Sequence, residues 1–152
     1  MKISIDGKIL IVSTPQTSEE IERYYDLRWR ILRAPWNQPR KAIPDELENG
    51  SIPIMVYEVD RIPIGVGRAN FNSENEVQIR SMAVEQEWQG KGIGSLILKE
   101  LEKIVASKGA EKIILHARDN AVAFYKKQEY KIVKESYTLF GVIPHFLMEK
   151  IV

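Results

Sequence analysis

The chain has 152 residues, 44% hydrophobic and 28% charged, which is the length and balance of one soluble globular domain with a substantial core. A formal net charge of +1 gives no overall electrostatic reason to expect nucleic acid or an anionic membrane as partner. The lack of cysteine excludes disulfides, thiolate metal sites and a cysteine nucleophile, and two histidines, His116 and His145, do not suffice for a histidine-rich metal site, so no metal is expected.

Residues 2–5 and 8–12 alternate around Asp6-Gly7, a turn dipeptide, and predict β structure at the start. Thr17 or Ser18 can cap a helix over 18–32, with Glu19 and Glu20 in its first turn. Pro35 and Pro39 stop that helix, and the stretch to Pro44 reads as an ordered connector because Trp36 and Ile43 interrupt it. Strands over 54–59 and 64–71, joined around Asp60-Arg61, and a turn at Asn72-Ser73-Glu74-Asn75 lead into a strand over 77–84, forming an antiparallel meander. A helix over 92–108 then carries Ile93, Leu96, Ile97, Leu101, Ile104 and Val105 on one side and ends at Gly109. A buried strand over 112–117, a short helix over 121–127 and strands over 130–137 and 144–151 complete an α+β order with helices on both faces of a sheet. There is no internal repeat, no apolar run near the ~18 residues of a membrane span and no leader-like start, so a single cytoplasmic domain over 1–152 is expected.

The stretch Trp88-Gln89-Gly90-Lys91-Gly92-Ile93-Gly94 sets three alternating glycines between a strand and a helix. Such a loop can present consecutive backbone N–H groups to an anion, and the helix start adds unpaired amides and the positive end of its dipole. A phosphate-bearing ligand is the functional reading, against an ordinary glycine turn. It is not a P-loop, because no Ser or Thr follows Lys91. Nor does the Gly-x-Gly-x-Gly spacing suit a dinucleotide fold, whose acidic residue would fall near apolar Ile114 and Leu115.

Gln89, Gly92 and Gly94 resemble the acyl-CoA signature of the GCN5-related N-acetyltransferase (GNAT) superfamily, Arg or Gln, two residues, Gly, one residue, then Gly or Ala. Upstream, Ile79-Arg80-Ser81-Met82-Ala83-Val84 is similar to that family's central strand; downstream, Ala121-Val122-Ala123-Phe124-Tyr125-Lys126-Lys127 is similar to its tyrosine-bearing helix. Together these cover about half the chain. The resemblance implies a GNAT-like mixed, largely antiparallel central sheet flanked by helices on both faces, with acetyl-CoA as acyl donor and no metal. It also implies that the backbone of Met82, Ala83 and Val84 pairs with the pantetheine arm. The amides of Gln89, Gly90, Lys91, Gly92, Ile93, Gly94 and Ser95 would hold the pyrophosphate, and Arg118, Asn120, Phe124 and Tyr125 would lie along the cofactor.

Acetyl transfer to an amine needs a polarised thioester, a neutral nucleophile and a proton for the leaving thiolate. The resemblance makes Tyr125 the acid, against a reading in which Phe124 and Tyr125 form only the apolar stripe of a short helix. Three positions depart from the family. Gln78 stands where many members carry a basic glutamate and cannot accept a proton at neutral pH, which leaves Glu76 and His145 as candidate bases. Arg118 replaces a CoA-contacting asparagine, with Asn120 out of register, and Glu129 replaces a glycine after the tyrosine helix.

For the acceptor, helical spacing puts Arg28 on one face with Ile21, Tyr25 and Leu32. Such an arginine either grips a carboxylate or phosphate of the acceptor, or forms a buried structural pair with Asp45, Glu46 or Glu48. Arg28, Trp36, Arg80 and His145 are the candidate acceptor-binding residues. The expected activity is N-acyl transfer from acetyl-CoA to the primary amine of a small molecule by direct attack, with a homodimer as candidate assembly. A non-catalytic acyl-CoA-binding module and a protein N-acetyltransferase acting on lysine or an N-terminus are the alternatives.

Overall fold

A computed structural model describes residues 1–59 and 62–152. Eight strands form one sheet in the order β1-β2-β3-β4-β5-β6-β8-β7. They are β1 (Lys2–Ile5), β2 (Lys8–Ser13), β3 (Ile52–Glu58), β4 (Pro63–Phe71), β5 (Glu76–Val84), β6 (Lys112–Arg118), β7 (Lys131–Leu139) and β8 (Ile143–Ile151). All neighbours are antiparallel except β5 and β6. The predicted order of elements is recovered with boundaries shifted by at most two residues; the expected joint at Asp60-Arg61 lies outside the described residues.

Helix α1 (Ser18–Leu32) starts at a capping box in which the Thr17 hydroxyl accepts from the Glu20 amide at 3.1 Å. The Glu20 carboxylate in turn accepts from the amides of Gln16 and Thr17, so two orphan donors of the first turn are satisfied reciprocally. Its core face centres on Tyr24 and Leu27, with Ile21, Tyr25 and Leu32 flanking it. Tyr24, Leu27, Tyr25 and Leu32 pack with Met55, Tyr57, Val66 and Ala83 on one side of the sheet. Helices α2 (Ile93–Ser107) and α3 (Val122–Lys127) cover the other side, where Ile93, Ile97, Leu98, Leu101 and Val105 join a cluster with Ile54, Val56, Val77, Ile79, Ile113 and Leu115. The adjacent residues Met55 and Val56 thus serve opposite layers, as strand alternation requires.

Glycine lets α2 sit close to β4. A Cβ on Gly67 would lie 2.5 Å from Met82 Sδ and 2.8 Å from Ile97 Cγ2. Both α2 and α3 end in Schellman motifs. Ala110 N–H bonds to Val105 O after Gly109, and Tyr130 N–H bonds to Tyr125 O after Glu129. Glu129 takes φ +72°, so the left-handed corner usually given to glycine is kept here with a side chain.

The connector between α1 and β3 is ordered by short turns at Ala34–Trp36, Arg40–Ala42 and Glu48–Gly50. A four-residue ion network ties it down. Arg28 bonds Glu48 at 2.5 Å, and Arg68 of β4 forks onto Asp45 through both guanidinium nitrogens and reaches Glu48 at 3.2 Å. Paired burial of two arginines against two carboxylates avoids the large penalty of an isolated buried charge.

Candidate active site

Two features of β5 open the sheet. Its parallel ladder with β6 covers only Glu76–Gln78 against Lys112–Ile114. Beyond that point the β5 edge is not laddered to β6, while β4 and β8 remain paired to the outer edges of the two strands. The second feature is a bulge: Val66 faces Ala83 and Arg68 faces Arg80, so Ser81 and Met82 together oppose Gly67. Ser81 takes φ +56° there. The extra residue reverses the alternation, so Val77 and Ile79 belong to the α2 layer, then Met82 and Val84 do, while Ala83 joins the α1 layer. Nothing in the sequence pattern marked this bulge except a polar Ser81 in an apolar strand.

A cavity of about 210 Å³ occupies the opening and reaches both faces of the sheet. Toward α3 its wall includes Met82, Ala117, Ala121 and Tyr125. Toward α1 it is polar: Arg33, Asp45, Arg68, Gln78, Arg80, His116, Arg118, Tyr137 and His145.

Tyr125 is 8% exposed, and burial raises its phenol pKa well above the ordinary value, so the hydroxyl stays protonated across the neutral range. His145 lies directly across the ladder from Arg118. Its Nδ1 is 2.9 Å from Ile143 O, which can only accept, so Nδ1 carries the proton and Nε2 keeps a lone pair. Burial lowers the His145 pKa; the Ile143 carbonyl opposes this and Arg118 reinforces it. Tyr137 stacks on His145 at 4.6 Å and 19° and tilts against His116 at 5.1 Å. His116 is also held toward its neutral form by burial, then by Arg80 and His145.

Beside this cavity the glycine loop enters α2. Gly90 and Gly92 have φ +78° and +89°, and a Cβ built on either meets nothing within 4 Å. Gly92 is the N-cap, no side chain caps the helix, and the first helical bond runs from Leu96 N–H to Gly92 O. The amides of Ile93, Gly94 and Ser95 therefore precede the internal ladder and remain open to an anion. Gly94 lies against α3, where a Cβ would be 3.3 Å from the Phe124 ring. The Gln89 side chain donates to Val84 O at 3.1 Å and fixes the loop to the end of β5.

Several residues singled out in the sequence lie elsewhere. Arg28 is 2% exposed and held by Glu48 and Asp45, which leaves it structural rather than in the cavity. Trp36 packs against Phe140 outside the cavity wall. Glu76, at the laddered start of β5, accepts from Asn72 at 3.2 Å and sits 3.9 Å from Lys112, away from the opening. Asn120 is exposed, in the short turn Asp119–Ala121 ahead of α3, and is not on the cavity wall. Gln78, Arg80, Met82, Arg118, Tyr125 and His145 do converge on the cavity. Arg33, Asp45, Arg68, His116 and Tyr137 were missed. Two of these had a sequence signal: Arg68 as a charge inside an apolar strand, and Asp45 as a candidate partner of Arg28 rather than a cavity residue.

A mixed sheet split between β5 and β6, with a glycine-opened helix leaving β5, is the fold of acyl-CoA N-acyltransferases. One from Pseudomonas aeruginosa superposes with a TM-score of 0.78 at 19% identity, covering 97% of this chain and 99% of that one. A GNAT family acetyltransferase from Elizabethkingia anophelis, solved with acetyl-CoA bound, gives 0.77 at 17% identity, covering 94% and 98%. In sequence, the Acetyltransferase (GNAT) family model matches residues 21–130. The uncharacterized N-acetyltransferase YjcF of Bacillus subtilis (strain 168) is 33% identical over 135 residues, 89% of this chain and 95% of that protein. The chain belongs to the GNAT family and is a GNAT-type N-acetyltransferase.

Proposed function

We propose that the protein transfers acetyl from acetyl-CoA to the primary amine of a small molecule by direct attack in a ternary complex. The observation that carries this reading is a cavity that joins both faces of the sheet, with a buried phenol at one end and an imidazole held toward neutrality at the other. Pyrophosphate binds the amides from Gly90 to Ser95, and the pantetheine arm lies along the unladdered edge of β5. An amide near Met82 polarises the thioester carbonyl. The amine nitrogen attacks from the α1 face, forming a C–N bond as the C–S bond breaks. His145 Nε2 takes the proton that the nitrogen loses, and the Tyr125 hydroxyl donates to the departing sulfur. No cysteine is present to carry an acyl group, which favours direct transfer over a covalent cysteine intermediate.

The test follows free CoA thiol with acetyl-CoA and a panel of amines. Acceptor-dependent release is expected, and Tyr125→Phe should keep acetyl-CoA affinity while kcat falls by roughly 10²-fold or more. Unchanged turnover in Tyr125→Phe would remove that residue from the mechanism. Acetyl-CoA binding with no release from any amine would favour a binding module.

A further inference from the structure

The charge around the cavity is unbalanced in a particular way. Arg28, Arg68, Asp45 and Glu48 form a neutral network, two cations against two anions. That leaves Arg33, Arg80 and Arg118, all on the cavity wall and none within salt-bridge distance of a carboxylate among the described residues. Their hydrogen bonding is also incomplete. Arg33 and Arg118 each donate one bond to the carbonyl of Leu32, at 3.2 and 3.3 Å. Arg80 Nε is buried with no partner, and the Arg33 guanidinium also lies over the Phe140 ring at 5.8 Å.

Guanidinium groups keep their charge in proteins, so clustering three of them at one cavity costs free energy unless an anion completes the set. Burial, reinforced by neighbouring guanidiniums, pulls the Arg80 and Arg33 pKa values down, and Asp45, already engaged by Arg68, offsets only part of this. The flanking His116 and His145 are held toward neutrality, so the positive charge resides in the arginines. The glycine loop supplies its own amides for the cofactor phosphates. Cross-strand pairing of Arg68 with Arg80, and of Arg118 with His145, instead sets this cluster on the α1 side of the opening, next to the proposed base.

We infer that the acceptor is a small amine carrying an oxyanion, carboxylate or phosphate, which Arg33, Arg80 and Arg118 bind while the amine meets His145. This rests on the N-acyltransferase reading and narrows its substrate class. A cavity of about 210 Å³ is below the roughly 300–1,000 Å³ typical of sites for drug-sized ligands, which favours an amino-acid-sized acceptor. Polyamines and other polycations are disfavoured by repulsion from the same three groups.

The experiment uses the full chain, with acetyl-CoA affinity measured by calorimetry alongside kcat/KM for primary amines matched in length. The amines end in a carboxylate, a phosphate, a neutral hydroxyl or a second ammonium. The expected result is a preference of at least about tenfold for the carboxylate or the phosphate amine over the neutral one, since charge-assisted bonds are lost in the latter. The better of the two anionic arms names the oxyanion. Arg80→Met, and independently Arg33→Met, should bring that ratio toward one; retained acetyl-CoA affinity serves as the check on folding. Normal acetyl-CoA binding with neutral or cationic amines used as well as anionic ones, or with no anionic amine turned over, overturns the inference alone. A preference for succinyl-CoA over acetyl-CoA that disappears in Arg80→Met, with no dependence on amine charge, also overturns it and assigns the arginines to the acyl group. Failure to bind acetyl-CoA removes the underlying reading, and the inference with it.

Discussion

His145 combines two constraints that act on the same ring. Its Nδ1–H is committed to Ile143 O, and burial with Arg118 nearby keeps it unprotonated at pH values where an ordinary imidazole is partly charged. The sign follows directly: a base whose pKa lies below the usual 6.5 is in its active form at pH 7 and loses it only at lower pH. Once the acceptor's own ammonium ionisation is divided out of kcat/KM, the enzyme's acid limb should therefore fall below pH 6.5, and His145→Gln should abolish that limb as it lowers the rate. A limb at or above 6.5, or one that survives in His145→Gln, would take His145 out of the base role. This residue could be nominated from sequence because an imidazole titrates in the range the task needs and because it follows Pro144 near the C-terminal strand. Arg28 stands out as an odd charge on an apolar face, read either as an acceptor grip or as a buried pair with Asp45, Glu46 or Glu48, and the structure bears out the pair, with Glu48 and Asp45. A charge pattern along one helix shows that a partner is needed and the acidic run of the connector narrows it to three residues, whereas the choice between a structural and a ligand partner depends on how that connector folds back.

At the scale of elements, the glycine loop and α2 form the part of the site most legible in sequence, because backbone conformation there depends on residue type. Gly92 needs φ +89° and faces open space, while Gly94 is limited by contact with Phe124. A side chain at Gly92 would thus meet backbone strain of about 1–2 kcal/mol and would project into the space assigned to the pyrophosphate. Gly92→Leu should lower thermal stability modestly and acetyl-CoA affinity by more than about tenfold. Full affinity in a folded variant would contradict the assignment. The bulge at Ser81 and Met82 was illegible for a complementary reason. It depends on Gly67 in the neighbouring strand and on the seating of α2, and alternation within β5 alone gives no sign of either.

For the whole molecule, the order of hydrophobic runs was enough to give an α+β sheet covered on both faces, since each strand and helix buries its own periodic face. The convergence of Arg33 from the end of α1, Arg80 from β5 and Arg118 from β6 is a property of the folded sheet, which brings together positions more than eighty residues apart. In the proposed reaction the parting of β5 and β6 is the central element, with acetyl-CoA approaching from the α2 and α3 side and the acceptor from the α1 side. Backbone amide chemical-shift mapping of the isotope-labelled protein during titration with acetyl-CoA tests this most directly. Saturable shifts centred on residues 82–84 and 90–95, with a smaller response at Tyr125, are the predicted result. Saturable binding that leaves those amides unmoved and perturbs another surface, or no binding at all, would contradict the account.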